Sequence, residues 1–100
     1  MDIVVAERAL VAESPDGNRT AIQVRIGRPV KVAERTWTCP LSLEGLGSVS
    51  DGLGTDSWGA LTVAIGVVRQ QLTVCIEKGA RLICGQDGSD IDLDDLFPSF

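Results

Sequence analysis

The chain contains no histidine. That removes the side chain that most often serves as general base or metal ligand near neutral pH. Cysteine is scarce: Cys39, Cys75 and Cys84 only, with no C-x-x-C spacing. An odd, widely spaced set argues against a disulfide framework, and a zinc site lacks its fourth ligand. The three cysteines are read as small apolar packing residues. Basic residues are missing from one region. Residues 1–85 carry nine Lys and Arg against nine acids, whereas residues 86–100 carry five Asp and no cation. A neutral body with an acidic end has no footprint for a phosphate backbone or an anionic bilayer. The expectation is therefore no nucleic acid and no membrane. The weakly polar run 58–68 is about half a membrane span. The opening MDIVVAE has no basic n-region of a signal peptide, so the expected setting is cytoplasmic and reducing.

What is present suits one domain over residues 1–100, with an acidic C-terminal tail at 86–100. Apolar residues make up 44% of the chain, enough for a core. Ile3–Ala12 is apolar and β-branched, and Ser14-Pro15-Asp16-Gly17-Asn18 is strong turn chemistry. Ile22, Val24 and Ile26 then alternate with Gln23 and Arg25, the period of a half-buried strand. These segments predict an antiparallel hairpin. Residues 28–35, basic and polar apart from Val30 and Val32, read as a loop. Trp37, Cys39, Leu41 and Leu43 alternate again, with Pro40 on the outer register suggesting an edge or a bulge. A short strand is possible around Val49–Leu53.

Residues 55–79 read as one amphipathic helix of about 23 residues, roughly 35 Å long. Thr55 or Asp56 supplies the N-cap, and Lys78-Gly79 the stop. Leu61, Ile65, Val68, Leu72 and Ile76 form the expected buried stripe, with Trp58 extending it. Arg81–Gly85 reads as a last strand. The expected core is Ile22, Val24, Ile26, Trp37, Cys39, Leu41, Leu61, Ile65, Val68, Leu72 and Ile76. The fold class is α+β in two layers: an antiparallel sheet of four to five strands with one long helix packed on one face.

Candidate chemistry is thin. Gly45, Gly47, Gly52 and Gly54 precede a helix N-terminus, where glycine-rich loops can cradle phosphate. No P-loop Lys-Ser/Thr follows, however, and Asp51 and Asp56 repel anions. Turns and bulges are the favoured reading. Ser57 beside Asp56 lacks an activating base, so capping is favoured over nucleophilic catalysis. Asp87, Asp90, Asp92, Asp94 and Asp95 lack the glycine and glutamate of a calcium loop. They read either as a solvated tail with Leu96 and Phe97 docked back, or as a docking segment for a basic partner. Gly59, Thr62, Gly66 and Thr73 line the less apolar helix face, and mid-helix glycine costs about 1 kcal/mol. Intrachain packing or a homodimer contact would account for that cost. No catalytic residue, cofactor or metal site is expected.

Three segments together are similar to a known family: Ala6-Glu7-Arg8; Trp37-x-Cys39-Pro40 with Glu44-Gly45-Leu46-Gly47; and Gly54-x-Asp56-Ser57-x-x-Ala60-Leu61. They resemble a family of small bacterial domains of unknown function, with Leu96-Phe97-Pro98 similar to its closing residues. The resemblance implies a bacterial origin and strands with one long helix. It implies no reaction, and the extra tail acids fall outside its pattern.

The leading expectation is a non-enzymatic protein-interaction module, of an accessory or immunity type. Its candidate partner-binding residues are Asp90, Asp92, Asp94, Asp95 and Phe97 in the tail and Gly59 and Gly66 on the helix. Deleting residues 86–100 is expected to weaken binding while sparing the fold. The alternatives are a structural homodimer through the Gly59/Gly66 face and a small-ligand binder or enzyme using loop 45–57.

Overall fold

A computed structural model describes residues 3–97. In chain order the elements are β1 (Val4–Glu13), β2 (Arg19–Gly27), β3 (Val30–Ala33), β4 (Thr36–Cys39), β5 (Leu41–Glu44), β6 (Gly52–Gly54), α1 (Ser57–Glu77), β7 (Arg81–Cys84) and α2 (Leu93–Leu96). The architecture is α+β, as the two periodicities require, but the strands form two antiparallel sheets. One has the order β5-β2-β1-β7, the other β3-β4-β6.

The β1–β2 hairpin closes where turn chemistry places it. Ser14 N–H donates to Asn18 O at 2.8 Å, Gly17 N–H donates to Ser14 O at 2.9 Å, and Gly17 sits at φ +87°, which glycine tolerates. The register pairs Leu10 with Ile22 and Ala12 with Thr20. One face of this sheet buries Leu10, Ile22, Val24, Ile26, Leu41 and Leu43. Leu82 of β7, opposite Ala12, is buried with them.

Pro40 is where the chain changes sheets. Without an N–H it cannot extend a ladder, and it stands between β4, paired with β3 and β6, and β5, paired with β2. Its carbonyl still accepts from Gly27 N–H at 2.8 Å. Beside it Cys39 is fully buried, its Sγ 3.4 Å from Gly27 O. The alternation expected through 36–44 is thus one run split between two sheets. The expected loop at 28–35 instead forms β3 and a tight turn into β4. Arg35 makes that turn at φ +55°, an uncommon conformation for a non-glycine residue.

α1 begins as expected. The Asp56 carboxylate accepts from Gly59 N–H at 2.7 Å. It ends in a Schellman motif: Gly79 N–H donates to Ile76 O, Ala80 N–H donates to Cys75 O, and Gly79 lies at φ +95°. Its buried face is different from the expected one. Ala60, Ala64, Val68 and Leu72 are buried, while Trp58 is 73% exposed, Ile65 38% and Ile76 39%. Leu61 and Trp37, also expected in the core, are half-buried. At 3.6 residues per turn the helix is rolled by about 60° from the expected face.

The cause lies in Gly52 and Gly54. A methyl group on Gly52 would meet Ala60 O at 2.3 Å and Ala64 N at 2.6 Å. One on Gly54 would meet Ala60 N at 2.3 Å. β6 therefore lies against the helix backbone itself, and only an alanine face permits that approach. Alanines at positions 60 and 64 turn inward, and the bulkier Leu61 and Ile65 move to the shoulder.

Glu13 ties the hairpin to β7, with Arg19 Nε at 2.7 Å and an Arg81 guanidinium nitrogen at 3.1 Å. The Arg19 hydrogen bond, opposed by some burial and helped by Arg81, holds the Glu13 carboxyl below its ordinary 4.5. A carboxyl with a depressed folded pKa stabilises above its unfolded value and loses that contribution as pH falls through the folded value. Glu13→Gln should therefore be less stable than the native chain near neutrality. The gap should close as the pH drops below 4.5 in urea titrations. A gap independent of pH would refute the ion-pair account. For the helix contact, Gly52→Ala should cost about 1–3 kcal/mol or more by overpacking. Gly66→Ala, with nothing within 4 Å of the added carbon, should instead gain about 0.5–1 kcal/mol. Equal denaturation midpoints for the two variants would contradict the packing described.

Candidate functional site

Loop 45–57 borders an open groove of about 360 Å³ beside Gly45, Gly47 and Ser48, with the Glu44 carboxylate in its lining. Gly45 and Gly47 adopt positive φ in the turn after β5, whereas Gly52 and Gly54 are pressed against α1. Beside Gly52 and Gly54 the space is filled by the helix backbone. The favoured reading of these glycines as turns holds for the first pair. The second pair serves close packing. The displaced carboxyls, Glu13, Asp16 and Asp87, lie outside this loop. Burial pushes the Cys39 thiol up, and the nearby Asp51 carboxylate adds to this. That disfavours the reactive thiolate.

The tail is ordered onto the body. After β7 the chain turns at Gly85–Gly88, and Asp87 accepts from the Ser89 hydroxyl at 2.6 Å and the Ser89 amide at 3.0 Å. These bonds hold the Asp87 carboxyl below its usual range, the hydroxyl contributing most. Residues 89–91 then return along β7: Cys84 N–H donates to Ser89 O at 2.7 Å and Ile91 N–H to Leu82 O at 2.9 Å. Asp90 bridges to Ile83 and pairs with Arg81 at 3.4 Å. Asp92 caps α2, accepting from Asp94 N–H at 3.1 Å. Asp94 and Asp95 occupy the exposed first turn and make no ion pair among the described residues. Phe97 is half-buried, with the Arg69 guanidinium 5.9 Å from its ring centre. Ile91, Leu93, Leu96 and Phe97 all pack against the core.

Two grooves flank α2. One, of about 260 Å³, is lined by Val24, Ile26, Ile65, Leu96 and Phe97 and runs beside residues 6–8 of β1. The second, wider and more open at about 590 Å³, has Ile76, Ala80, Ile91 and Leu93 as its floor. Asp90, Asp92, Asp95 and Arg81 stand around it. The structure thus gathers the candidate tail acids and Phe97 around α2. It does not group Gly59 with Gly66 in one role. Gly59 is half-buried, donates to the cap, and has Asp56 Oδ1 3.1 Å from where a methyl would sit. Gly66 faces open space.

Sequence reasoning missed the exposed shoulder of α1, Trp58, Ile65 and Ile76, because it assigned those residues to the buried stripe. By length and composition α1 is long and apolar enough to cross a membrane, and 22% of its most apolar 18 residues is buried. It also missed the exposed valines of β3, Val30 and Val32. The signal for these was their alternation with Lys31 in a segment read as a loop.

Residues 6–93 match the model of a protein family described as a domain of unknown function, DUF6968. The chain belongs to the DUF6968 family. No curated protein and no solved structure matches it. The family match spans both sheets, α1 and the acidic turn, and stops at the first residue of α2. Asp94, Asp95, Leu96 and Phe97 of this DUF6968 domain lie beyond it, and Pro98 lies outside the described residues.

The docked tail changes one expectation. Removing residues 86–100 does not leave the fold untouched, because it strips four half-buried apolar side chains from the core. Truncation after Gly85 should cost on the order of 3–5 kcal/mol at about 1 kcal/mol for each half-buried side chain. An unchanged urea midpoint would show that the segment does not pack.

Proposed function

We propose that this domain works by binding another protein, without catalysing a reaction. The observation that carries this reading is α1. It carries more large apolar residues than its buried face holds, and it leaves Trp58, Ile65 and Ile76 exposed along one shoulder and Val63 exposed on the other side. Exposed apolar clusters of this kind mark interaction surfaces. Lipid is a poorer match for the outer side of the helix, because Arg69, Gln70 and Glu77 stand there among Thr62 and Thr73. A protein partner can pair those polar groups while covering the apolar ones. Trp58 is the natural anchor, since buried tryptophans dominate binding energy at interfaces. An accessory or immunity-type role suits a small domain of this charge.

A second reading is a homodimer over the Gly66 face. Gly66 favours it, because a mid-helix glycine with open space above it allows a second backbone close approach. Gly59 adds nothing to that reading, since the helix cap already accounts for it.

The test uses the native domain and its Trp58→Glu, Ile65→Glu variant as baits in extracts of cells carrying the gene. A specific partner should be retained by the native domain and lost from the variant, with circular dichroism showing both folded. Retention of the same partner by both would remove the α1 shoulder as the contact. Loss of the variant's fold would place these side chains in the core and refute the exposure on which the reading rests.

A further inference from the structure

Among the described residues, net charge of opposite sign gathers at two separate places. Arg19 and Arg81 are engaged by Glu13, and Arg25 by Glu7 and Glu44. Arg28, Lys31 and Arg35, on and beside β3, make no ion pair among the described residues and outnumber Glu34, the one acid of the hairpin. They surround Val30 and Val32, which are 40% and 57% exposed. The result is a basic, apolar hairpin projecting from the edge of the three-stranded sheet. Charged residues on an edge strand commonly guard a monomer against association. Here the guard is combined with two uncovered valines.

The wider groove beside α2 is its complement. It has an apolar floor at Ile76, Ala80, Ile91 and Leu93, and a rim of Asp90, Asp92 and Asp95. Its one cation, Arg81, is already held by Glu13 and Asp90. Among the described residues these acids do not converge as a metal-binding group. They are spread along the groove, which suits several spaced cations and not a single ion.

The hairpin cannot reach the groove of its own chain. Lys31 pairs with Trp37 and Trp37 with Gly54, which lies against Ala60 near the start of α1. The groove lies at Ile76, sixteen residues and about 24 Å farther along the helix. In a second copy placed antiparallel, however, each hairpin comes to the end that carries the other copy's groove.

We propose that two copies of this chain associate reciprocally, the basic β3 hairpin of each seated in the acidic groove of the other. The proposal rests on the reading of the domain as one that acts through protein contact, and it names a second copy as a partner. Such a contact is isologous and closed, since the same two patches serve both subunits. Eight hairpin residues and nine groove residues on each side fall just short of the roughly 20–30 per partner in standard interfaces. The expected dimer is therefore reversible, in the micromolar range, and weakened by salt.

Sedimentation equilibrium on the full chain, with charge-exchanged variants, tests this. The native chain should form a discrete dimer. Arg28→Glu, Lys31→Glu and, separately, Asp92→Lys, Asp95→Lys should each raise the dissociation constant about tenfold or more, because like charges then face each other. Mixing the two variants should restore association, since each supplies what the other lost. Both variants alter exposed residues, and circular dichroism checks their folding. A native chain that stays monomeric at high concentration, an open-ended polymer, or a dimer indifferent to both charge reversals would overturn the proposal. A monomer that still captures a foreign partner through the Trp58/Ile65 shoulder would refute this inference alone. A dimer that captures nothing else would leave it standing.

Discussion

The backbone contact between β6 and α1 constrains everything else in this domain. A helix usually sits about 10 Å from the sheet it covers, separated by side chains. Here Gly52 and Gly54 remove the side chains from one partner, and Ala60 and Ala64 nearly do so from the other. Close approach on one side fixes how far the helix is rolled. Once Ala60 and Ala64 face β6, the four-residue spacing carries Val68 and Leu72 inward. Those two reach the four-stranded sheet, where Leu10, Ile22, Val24 and Leu43 wait. The same roll leaves Trp58, Ile65 and Ile76 outside. The exposed shoulder is thus a geometric consequence of two glycines rather than a fault in the pattern.

That link joins packing to function. A helix free to choose its most apolar face would have hidden Leu61, Ile65 and Ile76 and shown solvent a polar surface. Holding it by its smallest residues gives up roughly 1–3 kcal/mol of burial for each large side chain left out. The groove beside β1 exists for the same reason, because Ile65 lines its wall and does not plug it. α2 covers part of the gap with Leu96 and Phe97, and Arg69 lies over the Phe97 ring. Among the described residues the cover is incomplete, and an apolar groove remains beside it.

Much of this was legible in the residues. The Ser14–Asn18 turn, the alternation of Ile22, Val24 and Ile26, the Asp56 cap and the Gly79 stop each act locally, and each appears where its chemistry puts it. The buried helix face was not legible, because hydrophobic periodicity weights leucine and isoleucine above alanine, while close packing reverses that order. β3 was hidden for a related reason. Its turn places Arg35 at positive φ, a position where glycine or asparagine would have signalled the turn. Pro40 signalled a break in pairing, but a break does not say that the next strand joins a different sheet. Of the candidate site, the acids and Phe97 were found from composition. The docking back of Leu96 and Phe97 was among the expected readings, but the path of residues 89–91 along the expected strand at Arg81–Gly85 was not, since those residues carry no strand-like pattern.

The charge distribution carries the synthesis one step further. Helix dipoles place partial positive charge at the N-terminus and partial negative charge at the C-terminus. Proteins commonly offset this with acids at the start and bases at the end. At the start of α1 the cap Asp56 does so, but the nearby hairpin brings Arg28, Lys31 and Arg35 to the same end. At the far end Lys78 is the C-cap and Arg81 follows it, against Glu77, Asp90, Asp92 and Asp95. Acids therefore outnumber bases at the end where the dipole of α1 is already negative. Within one chain such an arrangement is mildly unfavourable and screened by salt. It becomes favourable when each end meets its opposite, and antiparallel placement of an identical molecule is the simplest arrangement that does this twice at once.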